Sequence, residues 1–127
     1  MKHFTIKEFT KTNTGLDNTP SKEVTENLTF LVENLLDKVR EEYGNPISVN
    51  SGYRSPEVNK AVGGAKTSQH LTGCAADITT GSKSGNEKLF NIIKQYEFDQ
   101  LINEHNFSWI HISLKKSGNR NQILTIN

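Results

Sequence analysis

Ser68-Gln69-His70-Leu71-Thr72-Gly73-Cys74-Ala75-Ala76-Asp77 sets an imidazole and a carboxylate on either side of a glycine turn. A second imidazole, His111, lies in the apolar run Trp109-Ile110-His111-Ile112-Ser113-Leu114. Two histidines and one carboxylate make three protein ligands for a zinc ion. They leave a fourth position open to water, the pattern of a hydrolytic rather than a structural zinc site.

Side-chain alternation sorts these strands into faces. Ile110, Ile112 and Leu114 point to one side, and Trp109, His111 and Ser113 to the other. Ala75 to Thr79 reads as a strand in which Ala76 and Ile78 share one parity while Ala75 and Asp77 share the other. The expected core face is the apolar one, so His111 and Asp77 look out from an open face. Cys74 has the wrong parity to join them and reads as a small buried residue. Taken singly, His70 fits a loop histidine, Asp77 a cap and His111 a strand-surface histidine. Three suitable ligands on one open face argue for a shared role.

The rest of the chain supplies a scaffold. Thr5 to Glu8 fits a capping box. Residues 11–19 read as a loop, and Thr19-Pro20-Ser21 offers a cap and a proline start. Val24, Leu28, Leu31, Leu35 and Val39 recur at helical spacing, widened by Val32 and Leu36. Gly44 and Asn45-Pro46 end that helix after about six turns. Ile47 to Ser51 reads as a strand, and Ser55-Pro56 opens a short helix that Gly63-Gly64 closes. Ser84-Gly85-Asn86-Glu87 predicts a second capping box, for a helix with Leu89, Ile92, Ile93 and Tyr96 on its stripe. Phe98 to Glu104 and Trp109 to Leu114 form a hairpin around residues 105–108, and Gln122 to Ile126 is a last strand. The expected fold is a single α+β domain over residues 1–127, an antiparallel sheet with helices packed on one face and the zinc site on the open face.

Composition narrows the function. The chain has 127 residues, 33% of them hydrophobic, which suits one small core. Fifteen basic and 14 acidic residues balance, so no electrostatic footprint for nucleic acid exists. No apolar run is long enough to span a membrane. The N-terminus lacks the apolar stretch of a secretory signal, so the protein is expected to be cytoplasmic as synthesised, then released or delivered to the cell wall. One cysteine excludes an internal disulfide.

Three further side chains bear on chemistry. If residues 105–108 turn the hairpin, Glu104 faces Trp109 and lies diagonal to His111 on the same face, about 7–8 Å away. A carboxylate there is the candidate general base, with His105 at the loop tip as its competitor. Arg54 sits between a strand and a helix, suited to clamping a carboxylate or an oxyanion, or else to a surface ion pair.

Together these segments resemble the zinc D-alanyl-D-alanine carboxypeptidase family, which includes vancomycin-resistance D,D-dipeptidases and several phage endolysins. The matching pieces are Ser51-Gly52-Tyr53-Arg54-Ser55, Ala61-Val62-Gly63-Gly64, Ser68-Gln69-His70 with Gly73, Ala75 and Asp77, and Trp109-Ile110-His111. Phe4 to Phe9 and Phe98 to Glu104 are similar to the short, often phage-encoded branch. The resemblance implies zinc on His70, Asp77 and His111, with Arg54, Ser68 and Trp109 near a peptidoglycan stem-peptide substrate. Several well-known members carry Asp or Glu three residues before the last histidine ligand; Ser108 stands there in this chain. The base must come from elsewhere, and Glu104 fills that role. The leading expectation is a zinc peptidase that cuts an amide in stem peptides. The alternative is a non-catalytic zinc module that binds cell wall or a protein partner, as the related hedgehog domains illustrate.

Overall fold

The computed structural model describes residues 1–127. In chain order it contains α1 (Ile6–Thr10), α2 (Lys22–Leu31), a π-helical turn (Val32–Leu36), α3 (Asp37–Tyr43), β1 (Ser48–Ser51) and α4 (Pro56–Ala61). A 3₁₀ turn (Gln69–Thr72), β2 (Ala75–Thr79), α5 (Lys83–Ile93), β3 (Gln100–Glu104), β4 (Trp109–Ser113) and β5 (Gln122–Ile126) follow. The five strands lie in the order β1-β2-β4-β3-β5.

The sheet is mixed, not wholly antiparallel as expected. β1-β2, β2-β4 and β3-β4 are antiparallel, but β5 runs parallel to β3. The reason is topological. β5 turns back against the direction of β4, yet both flanks of β4 are already taken by β2 and β3. The chain therefore crosses the end of β3 and pairs on its far side, where the reversed direction is parallel to β3.

The expected face assignment holds. Ala76, Ile78, Leu101, Ile110 and Ile112 are buried in one core with Leu28, Leu31, Leu35, Val39, Leu89 and Ile93 from the helices. Each fully buried Leu or Ile contributes about 1.5–3 kcal/mol, which lets a modest apolar content suffice. The other face carries Asp77, Glu104, Trp109 and His111, paired as Asp77 with His111 and Glu104 with Trp109.

The long helix is not regular. At Val32–Leu36 it widens to a π turn, and the Asp37 amide donates to the Val32 carbonyl. The wider turn buries Val32, Leu35 and Leu36 together. It also turns Asp37 inward, where its carboxylate accepts from the Lys2 and His3 amides at 2.9 and 3.0 Å. Two helix starts shift from their expected places. Ser21 is the cap of α2, accepting from the Val24 amide, so Pro20 precedes the cap. Ser82, not Ser84, caps α5 through the Gly85 amide, because the extended Ser82 backbone puts its hydroxyl over that N–H. Cys74 is half-buried rather than buried.

Candidate metal centre

The three ligand candidates come together from three neighbouring pieces of chain. Asp77 and His111 face one another across the β2-β4 pair. His70 lies in the 3₁₀ turn, not in a loop, and is almost wholly buried. Gly73 ends that turn at φ +79°, and a Cβ there would stand 2.8 Å from the Val24 carbonyl oxygen. Glycine thus lets the segment double back against α2 before β2 begins.

The neighbouring loop selects the histidine tautomer. Nδ1 of His70 lies 2.6 Å from the Gly52 carbonyl oxygen. A carbonyl only accepts, so Nδ1 carries a proton, and Nε2 is the nitrogen turned toward Asp77 and able to offer its lone pair to a metal. Gly52 is required for this approach, since a Cβ would lie 2.5 Å from the Phe9 carbonyl oxygen. The next amide, Tyr53, donates to that same Phe9 oxygen at 2.6 Å. Asn18 completes the clamp. Its side chain donates to the Thr10 and Tyr53 carbonyls and accepts from the Ser55 amide at 2.7 Å. Sequence reasoning treated residues 11–19 as plain loop and missed Asn18, because a local asparagine signal does not reveal its distant partners.

Nε2 of His70 lies 3.4 Å from Oδ1 of Asp77, and Nδ1 of His111 lies 3.0 Å from the same oxygen. The three ligand atoms all fall within 4.8 Å of one another. Atoms held about 2.0–2.1 Å from a tetrahedral ion stand about 3.3 Å apart, close to the separations of both imidazole nitrogens from Asp77. Two imidazoles and one carboxylate are also the donor chemistry that zinc takes. Burial opposes the Asp77 charge, but hydrogen bonding to His111 and His70, with their charge, outweighs it and holds the carboxyl well below its usual range.

A family model described as Peptidase M15 matches residues 2–113. The chain belongs to the Peptidase M15 family. A zinc D-Ala-D-Ala carboxypeptidase of Streptomyces albus G is 53% identical over 38 residues, which cover 30% of this chain and 15% of that enzyme.

In this M15 chain the three ligand candidates line a cleft of about 400 Å³. Arg54, Ser68, Glu104 and Trp109 line it too, so the structure gathers every site residue expected from sequence. Glu104 is half-buried and its pKa is raised, first by burial and then by the Asp77 charge, against the pull of the nearby histidines. Arg54 donates its amide to the His70 carbonyl at 3.0 Å, and its Nε is buried with no partner. Burial lowers the Arg54 pKa despite the opposing Asp77 charge. Ser68 caps the 3₁₀ turn, accepting from the His70 amide at 3.2 Å. His105 does not line the cleft. It is exposed at the hairpin tip and tilts over Trp109, with ring centroids 4.9 Å apart.

The cleft also holds residues that sequence reasoning passed over. Arg120 and Gln69 line it, and both bond the fully buried Asp99. The available signal was an acidic residue two positions before Leu101, on the same strand parity, where a carboxylate turned inward demands a cation partner. Hydrogen bonds from Arg120, then its backbone amide and Gln69, hold the Asp99 carboxyl well below its usual range, against burial. A folded pKa below the unfolded value, about 3.9, adds stability that is complete above that pH. It is lost as pH falls toward the folded pKa. Asp99→Asn should therefore melt lower than wild type at pH 7 and show a flatter fall in Tm on acidification below about pH 4. Thermal denaturation across that range tests this, and an unchanged acid slope would refute it.

Proposed function

We propose that this protein is a zinc peptidase hydrolysing an amide bond in peptidoglycan stem peptides. The observation that carries the reading is the convergence of His70 Nε2, Asp77 Oδ1 and His111 Nδ1 in a cleft shared with Glu104, within an M15 chain. The relative named as a zinc D-Ala-D-Ala carboxypeptidase supports the choice of metal and of substrate class.

His70, Asp77 and His111 would hold the zinc. The chemistry that zinc supplies when bound is polarisation of the scissile carbonyl and acidification of water to a pKa of about 7. Glu104 takes a proton from the attacking water and delivers it to the leaving amine. Its raised pKa strengthens the carboxylate as a base and so favours the first transfer. Arg54 binds a substrate carboxylate or the developing oxyanion, because its unpaired buried Nε has no protein acceptor. Trp109 gives the substrate an apolar wall beside Glu104, and Ser68 offers a hydroxyl in the same cleft.

Purified peptidoglycan incubated with the zinc-loaded protein should release peptide fragments of defined mass, and a chelator should stop the release. The new termini, read by mass spectrometry, identify the bond. If the loaded protein sediments with peptidoglycan yet releases nothing, the non-catalytic binding module is the correct reading.

A further inference from the structure

Asp99, Lys115 and Arg120 take no part in the chemistry above, yet Arg120 stands in the wall of the same cleft. It lies beyond residue 113, where the family match ends. Its guanidinium grips the fully buried Asp99 as a fork, Nε to Oδ1 at 3.0 Å and Nη2 to Oδ2 at 2.7 Å. Its backbone amide also donates to Oδ1, at 3.1 Å. Two of the five guanidinium N–H bonds are thus engaged, and the remaining donors have no protein acceptor. Half of the Arg120 side chain is exposed. Lys115 Nζ, 3.7 Å from Asp99, adds a second cation to the single carboxylate, so the cluster keeps a net positive charge.

The topology gives this cluster its meaning. Arg54 follows β1 and Arg120 leads into β5, and these strands are the two opposite edges of the sheet. Between them run β2 and β4 with Asp77 and His111, then β3 with Glu104. On β3 the row next to Arg120 begins with Gln100, which pairs with Gln122, whereas Glu104 is at the other end of the strand. The cleft therefore carries one guanidinium at each edge, with the proposed zinc and base between them. An arginine already oriented by a buried carboxylate loses little freedom on binding an anion, and its planar donors match a carboxylate.

We propose that Arg120 is a specificity-determining residue that binds a second substrate carboxylate, so that the cleft selects peptides bearing two carboxylates, one reaching Arg54 and the other Arg120. This rests on the peptidase reading for its substrate, but its test does not need turnover. Trp109 is the sole tryptophan and lines the cleft, so its fluorescence reports binding directly.

The probe is the tetrapeptide L-Ala-γ-D-Glu-L-Lys-D-Ala, with its glutamyl α-carboxylate and its C-terminal carboxylate converted singly or together to carboxamides. Each form is titrated into the zinc-loaded protein at 0 °C, with kcat/KM measured separately. Wild type should bind each single amide about tenfold more weakly than the diacid, the scale of one charge-assisted hydrogen bond. The double variant Arg120→Gln, Asp99→Asn removes the buried charge together with its partner. It should lose discrimination at one carboxylate and keep it at the other. Arg120→Lys, which leaves Asp99 paired, should show an intermediate preference because it lacks the fork. Equal binding of acids and amides by wild type overturns the proposal, as does full discrimination in both Arg120 variants. A protein that cleaves nothing but discriminates through Arg120 refutes the peptidase reading alone. One that cleaves acids and amides equally refutes the role of Arg120 alone.

Discussion

Glu104→Gln should hold zinc and melt near wild type, while turnover on stem peptides falls by a factor on the order of 10² to 10⁴. Glutamine keeps the length and shape of the side chain and still hydrogen-bonds water, but it has no carboxylate to accept a proton. Glu104 is half-buried, pairs with Trp109 across β3-β4, lines the same cleft as His70, Asp77 and His111, and is outside the ligand set. Ser108 is no substitute. Its hydroxyl is a poor base near neutral pH, and it donates to the His105 carbonyl at 2.6 Å. His105→Ala is the control. That histidine is exposed at the hairpin tip and outside the cleft lining, so its removal should leave turnover within a few-fold of wild type. The opposite pattern, an active Glu104→Gln and an inactive His105→Ala, would transfer the role of base to His105.

His111→Ala should lose most of the bound metal and, with it, nearly all activity. The variant leaves two ligands, His70 and Asp77, and two ligands hold zinc far more weakly than three. The side chain is only partly buried and its strand is anchored by Ile110 and Ile112, so the sheet should survive. Elemental analysis after dialysis gives zinc per chain, and circular dichroism checks the fold. Metal content equal to wild type would remove His111 from the ligand set. The same substitution at His70 is a less clean experiment. That ring is nearly fully buried and bonds the Gly52 carbonyl, so its loss would leave a cavity and an unpaired acceptor as well as a missing ligand.

Much of the architecture was legible in the chain because it follows from local periodicity. The alternation in Trp109 to Leu114 assigned Ile110 and Ile112 to the core and His111 to the opposite face, and the short loop at residues 105–108 set the register that pairs Glu104 with Trp109. The stripe from Val24 to Val39 marked the long helix. Its π turn was not legible, since an extra residue in one turn barely disturbs an apolar spacing while Asp37 finds its partners more than thirty residues away.

By itself, then, the sequence determined the elements, their inward faces and the residue types able to hold zinc, because each depends on side chains a few positions apart. Only the tertiary structure decided which atoms meet. The parallel pairing of β5 depends on which edges of the sheet remain free. The His70 tautomer depends on a carbonyl 18 residues away in the chain. The cleft's second arginine depends on Asp99, 21 residues before Arg120 and buried just ahead of β3. These are long-range contacts, and a buried charge or an oriented imidazole is specified by the partners that folding brings to it, which no local pattern records.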